Sequence, residues 1–312
     1  MADPEIIDVH AHTFASADRG IGWQRANGTP NPERNGTIEE LMRLNAEAGV
    51  SRTVMLMYTP TRFMVEARLR EQQLPDDPGE RARIIHEVQS IMVARMIENN
   101  EWALRVGAEH PEFMNFAGID PVYQDEQALL AEIDDKLARG SKGVKVVLNN
   151  IAIYANDRRF WPVYEHITEL GVPIVLQVAK GGGDLAAHDD ALGHPRYLAE
   201  ALEAFPNMYL NLAHVGRGDY LDGIADLCHR FPNFYTDLSH RLNEVEDPAA
   251  PMTAESMAAL IRQCGPEKVL FGTNYPAVSP VQFARVLRSL PLTDTELELV
   301  ASGNAKRMLH LA

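Results

Sequence analysis

Eight short apolar segments, each followed by at least one helical segment, predict an α/β chain folded as a (β/α)8 TIM barrel, a single domain over residues 1–312. Two further observations narrow the class. The length suits a barrel, which typically needs about 250 residues, and no linker-like shift in composition divides the chain. A doubly wound open sheet would carry a Gly-rich phosphate turn after its first strand, and none is present.

The first strand lies in IIDVHAHTF, Ile6 to Phe14. Its histidines, His10 and His12, are two residues apart and so share one face of the strand. Two imidazoles converging at a strand's C-terminal end are able to hold one cation. On its own the triplet is weakly specific, since such pairs also arise as structural or surface histidines. The polar segment 16–36, with Trp23 inside it, reads as a long loop. Thr37 and Glu40 form a capping-box signature for a helix with Ile38, Leu41, Met42 and Leu44 on one stripe, ending near Gly49.

A strand follows at Thr53 to Tyr58, then an irregular stretch over 59–79, then a long helix from Arg81 to Ala108, on which His86 is a surface or packing residue. From Phe113 the rhythm is regular. Strands are expected at 113–119, 143–148, 173–178, 208–213, 234–237 and 268–272, separated by helices at 126–137, 159–170, 196–204, 220–230 and 254–264. Two helices close the chain, over 281–290 and from Thr293 onward.

Composition excludes several classes. Apolar residues make up 46% and charged residues 23%, an ordinary globular balance. Lys and Arg total 29 against 44 Asp and Glu, and a net charge of −15 argues against a nucleic-acid partner. Cys228 and Cys264 are too few for a disulfide framework and suit a reducing cytosol. No apolar run is long enough to span a bilayer and no signal peptide opens the chain, so a cytoplasmic location without membrane attachment is expected.

In a barrel the C-terminal ends of the strands form the active site. They carry His10 and His12, Tyr58, Asp120, Lys145 with Asn149 and Asn150, Gln177 with Lys180 and the glycines 181–183, His214 with Gly216 and Arg217, Asp237 with Ser239 and His240, and Asn274. His214 ends an apolar strand within LAHVGRG, where a functional role competes with that of a satisfied core histidine.

Along nearly its whole length the chain resembles the amidohydrolase superfamily, in its amidohydrolase-related (amidohydrolase 2) branch, which includes aminocarboxymuconate semialdehyde decarboxylase-like and pyrone dicarboxylate lactonase-like proteins. The resemblance is carried by IIDVHAH, NFAGIDP, KGVKV, RRFWPVYEHITELGVPIV, LAHVGRG, NFYTDLS, VLFGTNYP and GNAKRML. It implies one divalent ion, usually zinc, held by the first-strand pair, by a histidine ending strand five and often by an aspartate ending strand eight. That aspartate also takes a proton from bound water, and the sixth-strand histidine polarises or protonates the substrate. Carried over by position, His10 and His12 match the metal pair, His214 the sixth-strand histidine and Lys145 the fourth-strand lysine. A homodimer is the family's habit.

Two positions depart from that pattern. PIVLQ places Gln177 where the family has histidine, and FGTNYP places Asn274 where it has aspartate. An amide is a weak neutral ligand and Asn274 cannot accept a proton from water, so the site is expected to be atypical and metal-poor. Three functions are compatible with this pattern. The first is an enzyme acting by hydrolysis, decarboxylation or a related lyase or cyclisation step on a small carboxylated or cyclic substrate. His214, Lys145 and His240 would act in catalysis, and Tyr58, Gln177, Arg217 and Asn274 would bind substrate, with zinc or another divalent metal weakly held or absent. The second is a conventional zinc enzyme with His188, His194, His240 or a carboxylate as substitute ligands. The third is a non-catalytic metabolite-binding protein.

Overall fold

In the computed structural model, which describes residues 4–177, 190–215, 220–247 and 252–311, eight parallel strands follow one another around a single sheet in chain order. They are β1 (Ile6–Ala11), β2 (Val50–Leu56), β3 (Phe113–Gly118), β4 (Gly143–Val147), β5 (Ile174–Gln177), β6 (Leu210–Leu212), β7 (Phe234–Asp237) and β8 (Val269–Leu270). The last strand returns to the first. Val9 N donates to Phe271 O at 3.0 Å, Asn274 N to His10 O at 2.7 Å and His12 N to Tyr275 O at 2.7 Å. Buried Asp8 locks this seam by accepting from Thr273 N at 3.0 Å and from Thr273 Oγ1 at 2.7 Å. The barrel expected from the β-α rhythm is what the chain forms.

Helices cover the sheet. After β1 come α1 (Ala17–Ala26) and α2 (Ile38–Ala48), and after β2 come α3 (Thr61–Arg70) and α4 (Pro78–Glu109). The later units add α5 (Glu126–Ala138), α6 (Leu148–Ile151), α7 (Trp161–Glu169), α8 (Pro195–Ala204), α9 (Leu221–Arg230) and α10 (Ala254–Cys264). The chain ends with α11 (Pro280–Ser289), α12 (Asp294–Glu298) and α13 (Asn304–Met308).

Two segments expected to be irregular are partly helical. α1 lies inside 16–36, capped by Ser16, whose side chain accepts from Arg19 N, and α3 lies inside 59–79. Both have weak apolar stripes: α1 buries only Gly20 and Gln24, and α3 only Thr61 and Val65. Periodicity could not find them because packing against neighbours, not amphipathicity, holds them. β2 also begins at Val50 and ends at Leu56, which leaves Tyr58 beyond the strand.

Strand alternation sorts the core. Val144, Val146, Ile174, Leu176, Leu210, Leu212 and Phe234 pack in one cluster with Val163, Ile167, Leu198, Leu202, Ile224 and Leu227 of α7, α8 and α9. The alternate positions therefore face the barrel interior. Those positions hold Lys145, Gln177, Asn211 and Asp237, all buried. A run of short apolar strands thus delivers a line of polar side chains to the barrel axis.

Candidate active site

Three strand ends leave regular geometry where polar side chains gather. His214 after β6, His240 after β7 and Asn274 after β8 have φ of 70°, 65° and 71°, in the left-handed region. Such conformations each cost roughly 1–3 kcal/mol for residues with a side chain and concentrate at functional sites. Next to them Gly272 makes room for the first strand, since a Cβ there would lie 2.9 Å from His10 Cβ.

The partners of the imidazoles assign their protons. His12 Nδ1 lies 3.0 Å from Leu56 O, an acceptor only, so that nitrogen donates. His10 Nδ1 lies 3.2 Å from Asp237 Oδ2 and also donates. Both Nε2 atoms are therefore lone pairs, and they face each other at 3.3 Å. Two acceptors cannot hydrogen-bond to one another. A cation between them satisfies both, and two nitrogens about 2.0–2.1 Å from a tetrahedral ion would stand about 3.3–3.4 Å apart. Burial pushes His12 well below the usual imidazole range and also lowers His10, against the pull of Asp237. Neutral rings are what ligation requires.

Asp237 organises this cluster from below. Its Oδ2 accepts from His10 Nδ1 and, at 2.9 Å, from Asn211 Nδ2. Its Oδ1 accepts from His214 N and Ser239 N, each at 3.1 Å, and from Ser239 Oγ. Burial opposes its ionisation, but His10, His214 and these donors outweigh burial and hold the carboxyl well below its usual range. Ser239 Oγ also lies 2.8 Å from His214 Nδ1, which donates toward Ser239 O at 3.0 Å, leaving Nε2 as that ring's acceptor. His10, His214 and Asp237 lie close enough to surround an ion themselves, with ligand atoms within 4.8 Å of one another. However, the carboxylate is already saturated by five donors. It fits better as the group that orients His10 than as a ligand.

Lys145 is fully buried across the barrel, its Nζ donating to Gln177 Oε1 at 2.7 Å. Burial pushes its pKa down to about 7, against the pull of Asp237. Beside His12 a cavity of ≈ 470 Å³ opens toward α1 and α4. Trp23 lies 5.3 Å and Tyr58 5.1 Å from the His12 ring, centroid to centroid, and Trp23 Nε1 donates to Tyr58 OH.

The family model described as amidohydrolase matches residues 7–311. The chain is an amidohydrolase of the amidohydrolase-2 family. Membership makes it an amidohydrolase-superfamily enzyme of the hydrolase or lyase type. Among solved structures, it is similar to an uncharacterized TIM-barrel protein from Bordetella bronchiseptica, with 18% identity, 98% of each chain covered and a TM-score of 0.71. It is also similar to 5-carboxyvanillate decarboxylase from Sphingomonas paucimobilis, with 18% identity, 99% of this chain and 100% of that one covered and a TM-score of 0.63. A third is a dihydroxybenzoic acid decarboxylase from Polaromonas with bound manganese and 2-nitroresorcinol, with 15% identity, 98% and 97% covered and a TM-score of 0.67. A search of curated proteins finds no match. At these identities the solved structures show the fold.

The amidohydrolase brings together most of the residues expected from its sequence. His10, His12, His214, Lys145, Gln177, Asp237 and Ser239 form one connected group, with the rings of His10 and His214 4.9 Å apart. His240 adjoins it, near enough to act electrostatically on His214. Asn274 contributes a buried Oδ1 that has no hydrogen-bond partner among the described residues. Tyr58 lines the cavity beside His12. His194, a substitute ligand in the zinc reading, instead caps α8 by accepting from Arg196 N at 3.2 Å. Asp120 is taken up by Thr61 and by the backbone of Val122 and Tyr123. Arg217, Lys180, His188, Gly216 and the glycines 181–183 lie outside the described residues. No helix of the described residues is long and apolar enough to cross a membrane.

An ion fits this amidohydrolase between the facing lone pairs of His10 and His12. Sequence reasoning placed Asp237 and Ser239 at the strand end without a role, noted Trp23 only as part of a loop, and missed Arg19, Arg95 and Trp102 altogether. The available signal for the last group was helical spacing, Arg19 to Trp23 and Arg95 to Trp102.

Proposed function

We propose that this enzyme is a divalent-metal decarboxylase of small aromatic or cyclic carboxylic acids. The observation that carries the reading is the facing pair of imidazole lone pairs at 3.3 Å, each fixed by an acceptor on its other nitrogen. An ion bound there would supply Lewis-acid polarisation of substrate oxygens. His10 and His12 would hold it, Asp237 orients His10, and the apolar and aromatic wall formed by Met57, Tyr58, Trp23 and Trp102 would receive a flat ring.

When the bond to the carboxylate breaks and carbon dioxide leaves, its electron pair stays on the ring carbon and must take up a proton. Asn274 has none to give. Lys145, with its pKa near 7, carries an exchangeable proton at Nζ under neutral conditions and regains it from water. Hydrolysis is less well served, because it needs a base that removes a proton from water and the amide at 274 cannot do so. The activities named for the two similar decarboxylases support the same choice.

The test is carbon dioxide release from a panel of hydroxybenzoic and related acids by protein loaded with manganese or zinc. Turnover is expected to stop with a chelator and in His12→Ala, and to fall by roughly 10²-fold or more in Lys145→Met. Turnover that persists undiminished in metal-stripped protein and in His12→Ala would falsify the metal reading. It would leave Lys145 and His214 as a metal-independent pair.

A further inference from the structure

The chain has two cysteines, Cys228 and Cys264, 36 positions apart in sequence and outside the candidate site. The fold brings them together. Cys228 lies in the last turn of α9 and Cys264 is the final residue of α10, and both are buried in one apolar cluster with Leu227, Phe231, Leu260 and Ile261. The residues beside them are bridged, since His229 Nε2 donates to Gln263 O at 2.9 Å and Gln263 Nε2 donates to Asp222 Oδ1 at 2.7 Å. These contacts hold the two helix ends side by side, with the thiols close enough to hydrogen-bond to each other.

A pair of thiols already in contact needs little backbone movement to become a disulfide. Access is the harder condition. Contact with the Cys264 thiol and burial push the Cys228 thiol up, so reaction begins from an opened form in which the nearby Lys268 ammonium favours the thiolate. The position of the pair suits such opening. Both cysteines sit in C-terminal turns, which fray more readily than helix interiors, and their chain neighbours His229, Arg230, Arg262 and Gln263 are exposed. Gly265, with φ of 91°, ends α10 directly after Cys264.

We propose that Cys228 and Cys264 form a reversible redox site, which a low-molecular-weight disulfide such as oxidised glutathione closes to an intramolecular disulfide. The Cys264 thiolate attacks one sulfur of the small disulfide, forming a mixed disulfide and releasing one thiol, which carries away the proton lost by Cys264. The Cys228 thiolate then attacks the Cys264 sulfur, the protein S–S bond forms, and a second small thiol leaves with the other proton. The protein thiols lose two electrons and the small disulfide gains them. The new bond encloses β7 (Phe234–Asp237) in a covalent loop and stabilises the fold by restricting the unfolded chain. The proposal is independent of the reaction at the barrel mouth.

The test incubates the native protein with oxidised glutathione, removes the reagent, unfolds the chain in urea with N-ethylmaleimide present, and reads the product by intact and peptide mass spectrometry. The expected product is about 2 Da lighter than the reduced protein, takes up no maleimide and gives one cross-linked peptide joining positions 228 and 264. Dithiothreitol should return both cysteines to the alkylated form. The Tm of the oxidised protein is expected to lie roughly 3–8 °C above that of the reduced one. Two cysteines that still take up maleimide, a glutathione adduct that goes no further, a disulfide between two chains, or closure only when urea is present during oxidation overturns the proposal. So does a Tm that does not rise.

Discussion

Asp237 is the residue on which the geometry of the cation seat turns. Five donors converge on its two oxygens, and one of them is the Nδ1 proton that leaves His10 Nε2 free to bind an ion. In Asp237→Asn the amide can hold His10 in either tautomer, and its own NH2 faces donors. Metal affinity is expected to fall roughly 10–100-fold, the range found when an outer-shell partner is removed. A titration with manganese checks it, and unchanged affinity would show that His10 needs no such orientation. Sequence reasoning could place Asp237 at the end of a strand. Its partnership with His10, 227 positions away, needed the fold.

At the scale of elements, α1 is the piece that shapes the cavity while contributing little to the core. It carries Arg19 and Trp23 to the mouth, and it sits close because Gly20 has no side chain. A Cβ there would meet Asn35 O at 2.0 Å, which is backbone and cannot swing away. Gly20→Ala is therefore expected to lift α1 at a cost of about 1–3 kcal/mol. Because the lifted element frames the cavity, binding of aromatic acids should weaken with the barrel still formed. Ligand titration beside far-ultraviolet circular dichroism measures both, and full affinity in the variant would show that α1 does not frame the cavity. The segment read as a loop here was legible only in part. Ser16 and Asp18 mark a helix start, but two glycines and the lack of an apolar stripe hide the helical turns beyond it. α3 is hidden for a similar reason, since the residue before its first turn, Pro60, provides no side-chain cap.

For the whole molecule, the barrel encloses groups that resist protonation together. Burial lowers His10, His12 and His214, so below about pH 6.5 the unfolded chain takes up protons that the fold refuses. Their stability contribution is present above that pH and is lost as pH falls. Asp8, pushed up to about 7 by burial, runs the other way with a single proton, since the fold keeps it where the unfolded chain has released it. Asp237, held low by the balance already described, adds a loss only further down, below about pH 4. Urea unfolding of the metal-free protein is expected to show stability declining from about pH 6.5 to 5, by up to roughly 2–3 kcal/mol per unit. A plateau across that interval would mean that these rings are protonated in the fold.

The sequence by itself determined the barrel and most of its mouth. Local apolar runs, β-α alternation and strand-end residues are short-range properties, so His10, His12, Lys145, Gln177, His214 and Asn274 could be named from position alone. Its resemblance to the family also implied that the amides Gln177 and Asn274 stand where stronger ligands are expected. Only the tertiary structure decided which atoms face which. The lone pairs of His10 and His12 at 3.3 Å, the saturation of Asp237 and the lysine bound to Gln177 depend on strands meeting around a closed sheet. The cavity between α1 and α4 is likewise a product of packing, because two weakly amphipathic helices acquire a definite position only against the barrel they cover.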